Sequence, residues 1–89
     1  MKNLKGRTAI ITGAAGGIGT QVARLFDGHG VNLVLTDIQA DGLEKTAAGL
    51  SGNALRIVCD ITDRTEVQNL VNESARRFGN VDILMNTAG

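Results

Sequence analysis

Apolar residues recur along this chain in two alternating rhythms. Short runs rich in β-branched side chains lie at 8–12, 31–36 and 55–59, and another follows at 81–85. Between them, apolar residues return every three or four positions, as on one face of a helix. Runs such as Ala9-Ile10-Ile11 and Leu33-Val34-Leu35 are continuous, which suits strands covered on both faces, as parallel sheets require. The order βαβαβαβ predicts a doubly wound α/β sheet.

The first helix is predicted over 17–28, with Ile18, Val22, Leu25 and Phe26 as its buried stripe and Gly28 or Gly30 as its stop. The second, over 40–50, is expected to fray. Gly42 and Gly49 each cost roughly 1 kcal/mol against alanine in a helix interior, and only Leu43, Ala47 and Leu50 hold it down. The third is expected to be capped by Asp63 or Thr62. Glu66 completes a capping box with Asp63, and Val67, Leu70, Val71, Ala75 and Phe78 form the stripe up to Gly79.

Composition narrows what such a fold can do. At 89 residues the chain is one domain at most, with a thin core. Nine basic and nine acidic residues balance to zero, unlike the footprint of a protein bound to nucleic acid or an anionic membrane. The apolar stretch behind the basic start is too short for a signal peptide or a membrane span, so a cytoplasmic location is expected. Cys59 is the single cysteine and reads as a small apolar residue at a strand end. One cysteine and one histidine exclude a disulfide framework and build no metal site.

The clearest chemistry lies at 12–19, Thr-Gly-Ala-Ala-Gly-Gly-Ile-Gly, between a strand and a helix. Gly13 permits a tight turn, Gly17 removes a Cβ that would block a pyrophosphate, and Gly19 lets the helix start close to the sheet. The helix N-terminus then offers free N–H groups to an anion. Without the Lys-Ser/Thr pair of a P-loop, kinase-like and ATPase readings drop out. Asp37 follows Gly19 by eighteen positions, close to the offset at which an acid reaches a ribose hydroxyl. Asp60, at the end of the third strand, is either a ligand contact at the carboxyl edge or a turn residue before Asp63.

Together, Thr12-Gly13-x-x-x-Gly17-x-Gly19, Asp37, Asp60-Ile61-Thr62 and Asn86-Thr87-Ala88-Gly89 resemble the short-chain dehydrogenase/reductase family over the full chain. The resemblance implies a Rossmann-type sheet of order 3-2-1-4, with pyrophosphate at Gly13, Gly17, Ile18 and Gly19. It places the adenosine ribose at Asp37, adenine at Asp60 and Ile61, and the cofactor cleft along Asn86, Ala88 and Gly89. Gly16 and Ile38 complete the implied cofactor-binding set. Thr87 stands where the family usually has a second Asn, which puts one side-chain hydrogen bond in question. Gly16 stands where the family often carries Ser, or Arg in enzymes using the phosphorylated cofactor, so the expected cofactor is NAD.

The family's catalytic Asn, Ser and Tyr-x-x-x-Lys lie beyond residue 89, and the chain contains no tyrosine. Ser51, Ser74 and His29 are not expected to substitute. The chain therefore reads as the amino-terminal NAD-binding part of one Rossmann-type domain, residues 1–89, cut after strand four and inactive alone. The complete protein would be a homo-oligomeric oxidoreductase passing hydride between the nicotinamide and a small alcohol or carbonyl substrate. A stand-alone nucleotide-binding module is the alternative. A methyltransferase-type fold leaves the loop spacing and residues 86–89 unexplained.

Overall fold

The computed structural model describes residues 3–52 and 54–87. Seven elements follow in order: β1 (Thr8–Thr12), α1 (Gly17–Gly28), β2 (Asn32–Asp37), α2 (Ala40–Ala48), β3 (Leu55–Val58), α3 (Arg64–Phe78) and β4 (Ile83–Asn86). All strand pairings are parallel, in the order β3-β2-β1-β4. Thr12 is in register with Thr36 on one side and Asn86 on the other, so three polar strand ends share one edge of the sheet.

Continuous apolar strands acquire their meaning from the two helical layers. Ala9, Ile11, Leu33 and Leu35 face a cluster with Ala14, Ala23, Phe26 and Leu43. Ile10 and Val34 face the opposite side, with Cys59 and Leu70. Every β1 residue is buried, whereas β3 and β4 alternate between half-buried and exposed, as the two outer strands must.

Four sequence expectations need correction. In α1, Ile18 is 70% and Leu25 59% exposed; Phe26 and half-buried Val22 keep the expected face, and Gly19 and Ala23 complete it. The helix sits so close to the sheet that small residues occupy the contact. Val31 lies outside β2 because its N–H closes the turn after α1 on Phe26 O, at 3.1 Å. In α3, Leu70 and Ser74 are buried while Val71 and Ala75 are exposed. The Ser74 hydroxyl tolerates burial by donating to Leu70 O at 2.7 Å. The capping box is rewired as well. Asp63 Oδ1 accepts from Thr65 and Glu66 N–H, but the Glu66 carboxylate accepts from Asp60 N–H rather than from Asp63.

β4 is an outer strand here, and Leu84 on it is 67% exposed. Ile83 and Met85 are half-buried against the α1/α2 cluster, so the apolar liability sits on the α3 side, with Val71, Val81 and Ile61. Unpaired apolar edges template association. As an isolated 89-residue polypeptide the chain is expected to self-associate, and Leu84→Lys should shift its sedimentation toward monomer. A cooperative, heat-resistant monomer of the unaltered polypeptide would contradict this.

Candidate functional site

The site forms where the strand order reverses, at the carboxyl ends of β1, β2 and β4, the usual ligand crevice of open α/β sheets. β1 leaves the sheet through Gly13, whose φ of +68° is a conformation that a side chain disfavours. The loop then folds back on itself, with Gly16 N–H donating to Gly13 O at 3.0 Å and Ala14 N–H donating to Thr36 O at 3.1 Å.

α1 begins without a side-chain cap, and its first internal bond is Thr20 N–H to Gly16 O at 2.9 Å. The N–H groups of Gly17, Ile18 and Gly19 are therefore left open by the helix itself. A Cβ on Gly19 would run into Gly13 O and lie 2.8 Å from Ala14 Cα, so packing demands glycine there. A Cβ on Gly17 would meet no protein atom within 4 Å. What glycine leaves open at position 17 is space outside the protein, beside three open helix N–H groups, the arrangement that favours an anion.

Asp37 ends β2 and faces the loop. Its Oδ2 accepts from Ala15 N–H at 3.0 Å and its Oδ1 from Gln39 N–H at 3.1 Å. Two amides fix the carboxylate, and each oxygen keeps acceptor capacity for a sugar hydroxyl. Asp60 is fully exposed, and its Oδ1 accepts from the Thr62 hydroxyl at 2.6 Å and from Thr62 N–H at 2.9 Å. These two bonds hold its carboxyl below the usual carboxylate range, the hydroxyl contributing most. The turn-forming role of Asp60 is thus present, and the residue borders the cleft as well.

A cleft of about 410 Å³ opens between these elements, lined by Gly13, Gly16, Asp37, Ile38, Asp60 and Ile61 among others. Its described lining contains two carboxylates and no Lys or Arg. Ile38, 67% exposed, and Ile61 offer apolar surface of the kind a flat base covers. Gln39, Cys59 and Thr87 also line the cleft. Burial pushes the Cys59 thiol up from its ordinary value, against a smaller opposing effect of the Thr36 hydroxyl, so it stays a neutral thiol.

At the β1/β4 junction the Thr12 hydroxyl donates to Asn86 Oδ1 at 2.7 Å. The Thr87 hydroxyl donates to Thr12 O at 2.6 Å and lies 3.2 Å from Gly13 O. Thr87 thus makes side-chain hydrogen bonds of its own to the β1 end, through a hydroxyl. Ala88 and Gly89, expected in the cleft, lie outside the described residues. Gly17, Ile18 and Gly19 stand in the first turn of α1 and Asn86 ends β4, and none of the four is part of the cleft lining.

A glycine turn feeding an uncapped helix, an acid at the end of β2 and a cleft at the strand-order switch define a Rossmann-type nucleotide-binding fold. Comparison with known proteins gives the family. The family model for short chain dehydrogenases matches residues 7–89, and the chain belongs to that family. It is 44% identical over 88 residues to Tropinone reductase-like 2 of Erythroxylum coca, covering 99% of this chain and 32% of the relative. It is 45% identical over 89 residues to (+)-borneol dehydrogenase 1 of Salvia officinalis, covering 99% of this chain and 34% of the relative. Among solved structures, the 3-ketoacyl-(acyl-carrier-protein) reductase of Brucella melitensis complexed with NADH superposes with a TM-score of 0.87. Its identity to this chain is 35%, over 92% of this chain and 34% of that one. The chain thus spans about a third of the length of the relatives it matches.

Proposed function

We propose that the chain is the amino-terminal, NAD(H)-binding part of a short-chain dehydrogenase/reductase whose domain continues past residue 89. The observation that carries this reading is the cleft whose described lining holds Asp37 and Asp60 but no cation, beside three open helix N–H groups. The N–H groups of Gly17, Ile18 and Gly19 would bind the pyrophosphate, and Asp37 would orient the adenosine ribose. Ile38 and Ile61 would exclude water from adenine, with Asp60 at its edge. Thr12, Asn86 and Thr87 hold the strand ends along which the cofactor would run.

When bound, the nicotinamide supplies the hydride exchanged with an alcohol or carbonyl carbon. That exchange needs a positioned proton donor, and no tyrosine is present here to act as one. Ser51 is engaged with Asp27 and Ser74 is buried in α3, so neither serves the cleft. His29 caps the far end of α1. Under this reading the substrate is a small alcohol or carbonyl compound and the complete protein a cytoplasmic homo-oligomer. No described helix is long and apolar enough to cross a membrane.

The complete protein is expected to show alcohol- or carbonyl-dependent change in nicotinamide absorbance, and the purified 89-residue polypeptide none. Turnover by the short polypeptide would overturn this division of labour. A complete protein that binds NADH but oxidises and reduces nothing would point to a non-catalytic nucleotide-binding module.

A further inference from the structure

The phosphate loop is gripped from a direction its own motif does not reveal. Ala14 C=O and Ala15 N–H are the two ends of one planar peptide unit. The oxygen accepts from the Thr46 hydroxyl of α2 at 2.8 Å, and the nitrogen donates to Asp37 Oδ2 at 3.0 Å. With both ends held and Ala14 itself fully buried, that peptide cannot rotate without breaking a hydrogen bond. It lies two residues ahead of Gly17, the first of the open N–H groups.

Two more contacts tie α2 to the loop. A Cβ on Gly42, in the first turn of α2, would stand 2.5 Å from Ala15 Cβ, so the bare glycine admits the loop against the helix. The Thr20 hydroxyl, in the first turn of α1, lies 3.2 Å from the Thr46 hydroxyl and 2.8 Å from Gly16 O. Each hydroxyl has one proton. The Thr46 proton serves Ala14 O, its nearest acceptor, and its lone pairs remain open to Thr20. Thr46 is 5% exposed and does not line the cleft, so it reaches the site only through the loop and the first turn of α1.

The geometry points to Thr46 as a positioning residue for the pyrophosphate: its hydroxyl fixes the Ala14–Ala15 peptide and so aims the N–H groups of Gly17, Ile18 and Gly19. This rests on the proposed NAD(H) reading. Thr46→Val removes the hydroxyl at nearly constant volume and leaves Ala14 O only the longer contact from the Thr20 hydroxyl, at 3.4 Å, while Thr46→Ser keeps the donor. In the complete protein, Thr46→Val should weaken NADH and ADP-ribose by roughly three- to tenfold, the range expected for one hydrogen bond. Adenosine, which lacks phosphate, should bind as before, and Thr46→Ser should restore both phosphorylated ligands.

A purely structural Thr46 would lower Tm and leave the ratio of ADP-ribose to adenosine affinity untouched, and that result overturns the inference. If Thr46→Val fails to fold, Gly42→Ala supplies the second route. Alanine is the better helix former, yet its methyl displaces Ala15, so the same selective loss of ADP-ribose is expected and its absence counts against the inference. Failure of the underlying reading looks different. Wild-type protein that binds neither NADH nor ADP-ribose would remove the pyrophosphate site itself, and this inference with it.

Discussion

Gly19→Ala in the complete protein is expected to abolish measurable NADH binding and to lower Tm, whereas Gly17→Ala abolishes binding with Tm unchanged or raised. Both glycines belong to one motif, but they answer to different neighbours. The alanine methyl at 19 overlaps Gly13 O and approaches Ala14 Cα, both backbone, so α1 must move off the loop. Overpacking of this kind costs about 1–3 kcal/mol of stability. It also turns the open N–H groups away from the anion. Loss of two charge-assisted hydrogen bonds, at about 1.5–3 kcal/mol each, makes the weakening roughly a hundredfold or more.

At 17 the methyl meets nothing in the protein and removes the entropic penalty of glycine, worth no more than about 1 kcal/mol. It enters only the space assigned to the phosphates. Thermal melts and NADH titrations of the two variants would show the split. Gly17→Ala that binds NADH as wild type would mean that the phosphates lie elsewhere.

The second large effect concerns the choice between cofactors. A 2′-phosphate beside Asp37 would meet a like charge, at a cost on the order of 1 to 4 kcal/mol at about 4 Å, depending on the local dielectric. No described Lys or Arg lines the cleft to offset it. Asp37→Ala should narrow the gap between NADH and NADPH, but it should also weaken NADH, because Ala15 N–H loses its acceptor. Asp37→Asn separates the two roles. Its amide oxygen can still accept from Ala15 N–H, so the gap should close with a smaller loss of NADH affinity. Equal weakening of both cofactors by Asp37→Asn would assign Asp37 to the loop alone.

Much of this was legible in the residues because backbone chemistry governs it. Continuous apolar strands alternating with helices leave few topologies, and β1 and α1 fall at their expected bounds because glycines punctuate both ends of the loop. Periodicity failed where apolar residues serve something other than the core. Ile18 fits the stripe of α1 yet is exposed, and Ile38 and Ile61 border the cleft. Val71 and Leu84 flank an apolar groove beside β4, the open edge of the sheet, so their stripe is only half covered.

The link between α2 and the loop was missed because Gly42 reads as a weak point and Thr46 carries no motif. One signal was available. Thr46 stands three positions after Leu43 and four before Leu50, within the stripe that turned out to be buried. A hydroxyl at a core position needs an acceptor, and here the acceptor is Ala14 O in the loop between β1 and α1.

Calorimetric titration of the complete protein with NADH and, separately, with NADPH bears on the cofactor assignment without requiring a known substrate. NADH is expected to bind at least about fivefold more tightly, the lower end of the charge penalty at Asp37. NADPH binding as tightly as NADH, or more tightly, would contradict the assignment of this site to NAD(H).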